Sequence, residues 1–297
     1  MPPDPPPDLV EIFRSLWRNA CEERAFVLHA VGIESQVMWL GRAWALLVPM
    51  ERHAAALQQL VQYDRENPPR RRTALLAEPT HRGAWIGSLA YAAVILCVGY
   101  LAGASALGAD WFDVGAMTAG LTRAGEFWRA VTALTLHLDV GHLLANLGFG
   151  IVFGLLAGQL LGAGVAWFTV LAAASSANLL NAFLLPAEHS SVGASTAVFA
   201  TLGLLAAYSW WRRRDAGDRW AYRWAPLVAG VILLGFTGAG GERTDVFAHL
   251  SGFAMGVLAG VAHAALPVPR GRGAQFIAGA AALALVGIAW AVALANA

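Results

Sequence analysis

Lysine is absent from this 297-residue chain, cysteine occurs twice, and charged residues of either sign amount to only 13%. Each shortage excludes something. Cys21 lies in a polar stretch and Cys97 inside an apolar run, so a disulfide framework is excluded. Neither a Cys-x-x-Cys pair nor a His-Glu-x-x-His run occurs, and with them go the usual zinc-site and metalloprotease signatures. The net charge of +1 gives no reason to expect a nucleic-acid partner. The start, "MPPDPPPDLVEIF", has no basic segment followed by an apolar core, so no cleavable signal peptide is expected. What is abundant is apolar: hydrophobic residues are 58% of the chain and mean hydropathy is +0.55. Runs of about 18 or more apolar residues recur, each long enough to cross ~30 Å of hydrocarbon.

The organisation follows from where those runs fall. Residues 1–66 read as a small soluble α+β domain: "DLVEIFRSLWRNACEERAFVLHAVGI" has helical periodicity, "SQVMWLGRAWALLVPM" reads as two strands about a Gly-Arg turn, and "ERHAAALQQLVQYDREN" as an amphipathic helix. Residues 67–83 read as a basic linker. Seven spans follow, at about 84–106, 141–160, 165–185, 193–211, 224–240, 244–266 and 274–296. Ser175, Ser176, Asn178 and Asn181 in the third span are read as helix-packing residues. Arginine clusters precede span 1 (Arg70, Arg71, Arg72, Arg82), join spans 4 and 5 ("WRRRDAGDRWAYRW"), and join spans 6 and 7 (Arg270, Arg272). The opposite connections carry few, so the N-terminus is expected to be cytoplasmic, with spans 2, 4 and 6 entering from the outer face.

The first turns of those three inward-running spans hold the suspicious polar groups: His142 and Asn146 on span 2, Ser195 on span 4, His249 on span 6. At 1.5 Å per residue all lie at a similar shallow depth. His142 and Asn146 are four apart, as are Ser195 and Phe199, and as are Gly252 and Gly256, so each pair shares a helix face. The glycine pair predicts a close helix contact, with span 4 the expected neighbour. Ionisable groups in lipid are costly unless partnered or wetted, which makes each a functional candidate. A serine within reach of a histidine is the chemistry of an activated nucleophile. Asn146, His142 and backbone N–H groups at the start of span 4 are candidate oxyanion donors. With no carboxylate seen in the cluster, the expectation is a Ser195–His249 dyad in which Phe199 orients the imidazole. His29, His53 and His81 read as surface or core residues, and His263 has no assigned role.

These residues resemble the rhomboid family of intramembrane serine proteases. "EFWRAVTALTLHLDVGHLLANL" resembles the family's outer loop with its Trp-Arg pair, Trp128 and Arg129, followed by the His-x-x-x-Asn helix of His142 and Asn146; His137 also falls on a family histidine position. "GASTAVFA", with Gly193 and Ser195, resembles the nucleophile motif, and "AHLSGFAMG" the span carrying the general base, His249. Thr196 replaces a common Gly, Phe199 a common Tyr, and Ala133 a His found in some members. The resemblance implies an all-α polytopic fold: a six-helix core over 84–266, with 267–297 supplying a loop and a seventh transmembrane helix. It implies cleavage of transmembrane-protein substrates after a small residue in or near the membrane. It also implies a bacterial inner-membrane location, an active site open to the extracytoplasmic side, no cofactor and no metal, with the lipid bilayer as surroundings.

The alternatives are a catalytically silent relative that binds transmembrane clients, which would be expected to lack Ser195 or His249, and a small transporter. A transporter should show repeated halves with polar groups near the midplane, whereas here they gather toward one face.

Overall fold

The computed structural model describes residues 6, 8–67, 81–213, 220–238, 245–266 and 271–297. The basic linker lies almost wholly outside them, as do Arg214, Arg219, Arg243 and Arg270 of the orientation reading. Contacts divide the chain into two units, Met1–Ala74 and Leu75–Ala297.

The first unit is an antiparallel sheet with two helices. In chain order it runs β1 (Leu9–Ser15), α1 (Arg18–Ala30), β2 (Gln36–Trp39), β3 (Trp44–Pro49) and α2 (His53–Glu66), with sheet order β1-β3-β2. The stretch read as helical from residue 8 onward therefore opens with a seven-residue strand before its helix. Val10 pairs with Val48 and Phe13 with Leu46, across a register shift between Glu11 and Phe13. That irregularity hides the alternation by which a strand is recognised. Leu28, Leu46, Val48, Ala56 and Leu60 form the core with Cys21.

The second unit is helical. It runs α3 (Ala84–Gly103), three short helices α4 (Trp111–Gly115), α5 (Ala119–Arg123) and α6 (Arg129–Thr132), then α7 (Val140–Leu161), α8 (Ala163–Leu184), α9 (Ser195–Arg213), α10 (Trp220–Gly238), α11 (Val246–Ala265) and α12 (Arg272–Ala295); a two-residue β4 (Met117–Thr118) pairs with β5 (Ser190–Ser191). Seven of these helices are long and fall on the seven expected spans. Among the described residues α3, α7, α8, α11 and α12 are long and apolar enough to cross a membrane. The chain is thus a multi-pass membrane protein with an all-α membrane unit and a small α+β unit ahead of it. α9 is more polar because the other helices wall it in: residues 196–208 are buried apart from Leu205, so lipid does not set their composition.

Glycine governs the packing around α9. A Cβ at Gly252, Gly256 or Gly260 of α11 would lie 2.5, 2.0 and 2.5 Å from the carbonyl oxygens of Thr196, Ala200 and Leu204 on α9. The matched increments of four mean that α9 and α11 run parallel, backbone against backbone. The seventh long helix is tied in at both ends. The Gln275 side chain donates to the Leu161 carbonyl at 2.9 Å, and the Trp290 indole N–H donates to the Thr135 hydroxyl at 3.0 Å. Asn178, read as a packing residue, donates to the Ala130 carbonyl at 3.0 Å.

Candidate active site

In the segment between α3 and α7, Arg129 and Trp128 reach backbone carbonyls across the fold. Arg129, only 5% exposed, donates to the carbonyls of Asp113 and Ala116 at 2.7 and 2.9 Å and to Glu126 at 2.6 Å. The Trp128 indole N–H donates to the Val114 carbonyl at 3.1 Å. Both residues hold the segment together and neither lines the cavity described next. With β4–β5 pairing, this segment fixes the strand that leads to Ser195.

A cavity of about 920 Å³ opens among α4, α7, α9 and α11, and Ser195, His249, His142 and Asn146 all line it. Ser195 is the first residue of α9, His142 the third of α7 and His249 the fourth of α11. Three helix N-termini therefore converge, and their dipoles favour negative charge in the space between them. The His249 ring is 7% exposed and lies against Phe199, centroids 4.4 Å apart at 37°. Gly193 has φ +128°, and a Cβ there would stand 2.7 Å from His142 Nε2 and 3.6 Å from Asn146 Nδ2. Any side chain at that position would be strained and would displace the imidazole, so the chain before Ser195 touches the His142–Asn146 pair only as glycine. Asn146 is 6% exposed, and its Nδ2 is buried without a hydrogen-bond partner. An orphaned amide donor costs about 1–3 kcal/mol, a cost that an anionic oxygen in the cavity would relieve.

His137 stands behind the site. Its ring lies 5.1 Å from that of His142, and its Nε2 accepts the Ala194 N–H at 3.4 Å, which requires the neutral ring. Burial, reinforced by the neighbouring His142, pushes its pKa down to about 4. The folded value lies below the ordinary one near 6.5, so the unfolded chain takes up the proton first. This contribution to stability is full above pH 6.5 and is lost as pH falls through about 4. Thermal melting in detergent should therefore decline between those limits, and His137→Gln, which keeps an acceptor but does not titrate, should flatten the decline. An equal slope in both proteins would contradict it.

One expectation is corrected. The sequence suggested no carboxylate near the cluster, yet Asp110, Asp113, Asp139 and Asp245 line the cavity. For three of them, Asp110, Asp139 and Asp245, the reason is helix capping. Asp139 accepts the His142 N–H at 2.8 Å, Asp245 the Ala248 N–H at 3.0 Å, and Asp110 the N–H of Phe112 at 2.9 Å. Asp245 also meets His189, Nε2 to Oδ2 3.0 Å, joining the loop ahead of Ser195 to the start of α11. An aspartate just before an apolar run was a legible cap signal; nothing local marked its pairing with His189. His263, left without a role, meets the Thr169 hydroxyl at 2.8 Å. Among the described residues no cluster of three or more potential metal ligands occurs.

Comparison with known proteins bears on this arrangement. Residues 124–265 match the family model described as the rhomboid domain, from the Trp-Arg segment to the end of α11. Residues 124–265 of the chain are thus a rhomboid domain. It is 32% identical over 152 residues to "Rhomboid-like protease 2" of Toxoplasma gondii, covering 50% of this chain and 51% of that protein. It is 34% identical over 137 residues to "Rhomboid-like protease 3" of the same organism, covering 44% and 50%. With "Rhomboid-like protein 11, chloroplastic" of Arabidopsis thaliana it shares 32% over 143 residues, covering 44% and 51%. The chain spans about half the length of the curated relatives it matches. The matched rhomboid region contains Ser195, His249, His142 and Asn146; α3 and α12 lie outside it.

Proposed function

We propose that this rhomboid is an intramembrane serine endopeptidase with Ser195 as nucleophile and His249 as its general base. The observation that carries the reading is a buried, unpartnered amide donor, Asn146 Nδ2, in the wall of the cavity that also holds Ser195 and His249. In the first step the Ser195 hydroxyl passes its proton to His249 while Oγ bonds to the scissile carbonyl carbon. The carbonyl electron pair moves onto oxygen, where Asn146, His142 and the Ser195 backbone N–H stabilise the charge. As the tetrahedral centre collapses, the C–N bond breaks and protonated His249 gives its proton to the leaving amine. Water, activated by the same imidazole, then hydrolyses the acyl-enzyme and returns Ser195 to its starting form. Phe199 supplies the surface that orients the imidazole, and Gly193 the room for the oxyanion pair.

The substrates are transmembrane proteins, cut in or near the membrane after a small residue. On this reading 84–266 is the catalytic core, 267–297 adds the seventh helix, and 1–66 with its linker at 67–83 is a cytoplasmic accessory domain. The protein sits in a bacterial inner membrane with its cavity open to the extracytoplasmic side, and it works without cofactor or metal. A serine-directed fluorophosphonate should label the wild-type chain and leave Ser195→Ala unlabelled. No label on wild type, together with no cleavage of a model transmembrane substrate, would leave the client-binding reading instead.

A further inference from the structure

Tyr91 lies on α3, outside the cavity, and its hydroxyl donates to the backbone carbonyl of Asn146 on α7 at 2.9 Å. That carbonyl sits within the helix, so the tyrosine takes the lone pair left over from the helical ladder. The phenol ring is fitted closely. A Cβ at Gly150 would stand 2.5 Å from Tyr91 Cε1, Cζ and Oη, and Trp167 of α8 stacks on the ring with centroids 4.7 Å apart at 18°. Trp167 in turn fills the space left by two glycines: a Cβ at Gly87 or at Gly154 would come within 2.2 Å of its indole. Asn146, Gly150 and Gly154 lie four apart on one stripe of α7. The stripe is a slot, and the stacked pair from α3 and α8 fills it.

The consequence concerns Asn146. Its Nδ2 has no hydrogen-bond partner, so no acceptor there holds the donor in aim, and its direction is set from the backbone. We infer that Tyr91 is a positioning residue for Asn146: its hydroxyl and its seat in the glycine slot fix the rotation of α7, and so the direction of the amide that meets the oxyanion. This rests on the oxyanion role proposed for Asn146. A single interhelical hydrogen bond in a membrane protein contributes little to stability. Small misplacements of a catalytic donor are far more costly to rate than that.

The test is a double-mutant cycle in the full chain with Tyr91→Phe, Asn146→Ala and the pair together. Tyr91→Phe keeps the ring in its slot and removes only the hydroxyl. Its kcat on a transmembrane substrate should fall roughly 5- to 20-fold with KM and melting temperature nearly unchanged. In the Asn146→Ala background the same change should cost less than about 2-fold, because the donor it aims is gone. An equal loss in both backgrounds, or none in either, would overturn the inference. A second readout does not need activity: the side-chain amide resonance of Asn146, identified by its loss in Asn146→Ala, should shift in Tyr91→Phe while those of Asn178 and Asn181 stay. If wild type neither cleaves nor takes the phosphonate but this resonance moves, the protease reading fails and the positioning contact stands. An unmoved resonance sinks the positioning contact.

Discussion

His249→Ala is expected to lose cleavage of a transmembrane substrate by at least about 10³-fold, with the protein still folded. In the proposed mechanism the imidazole takes the Ser195 proton and later delivers it to the leaving amine, so its loss removes both transfers. Truncation also removes the partner of the Phe199 ring, 4.4 Å away, but leaves the glycine contacts of α11 with α9 untouched. The variant should therefore melt close to wild type while failing to turn over. Comparing membrane-protein fragments in cells carrying wild type and His249→Ala would reveal the natural substrates as fragments present only in the former. Residual cleavage within about 10-fold of wild type would remove His249 from the mechanism.

Gly256→Leu should have the largest effect on folding. Even a methyl group there would lie 2.0 Å from the Ala200 carbonyl oxygen and 2.7 Å from its carbon. These are backbone atoms, which no rotamer change can move aside. The substitution must push α11 from α9, and those two helices carry His249 and Ser195. We expect a loss above about 4 kcal/mol, beyond what most single substitutions cause, seen as failure to accumulate or as a collapsed melting temperature in detergent. Gly287→Leu on α12 is the control, because nothing stands within 4 Å of a Cβ there; it should be close to neutral. A well-folded, active Gly256→Leu protein would mean that the α9–α11 contact does not set the site.

Both effects depend on features with different origins. Membrane class, the seven helices and the three polar first turns were legible in sequence, since each is encoded within a window of about 20 residues against a fixed bilayer thickness. The candidate residues Ser195, His249, His142 and Asn146 stood out because polar side chains are expensive in apolar helices. Strand β1 did not stand out, because the register shift between Glu11 and Phe13 interrupts its alternation. Nor did the short helices between α3 and α7, which are held by Arg129 reaching carbonyls 13 and 16 positions away.

By itself, then, the sequence determined which stretches are long and apolar enough to span a membrane and which first turns carry polar side chains. Only the tertiary structure decided what those groups meet: Gly193 against His142, Asp245 with His189, Tyr91 on the carbonyl of Asn146. The last two pairs are 56 and 55 residues apart in the chain. Local periodicity records which face of a helix is buried, but not which neighbour covers it; that is settled when side chains from distant segments compete for the same space.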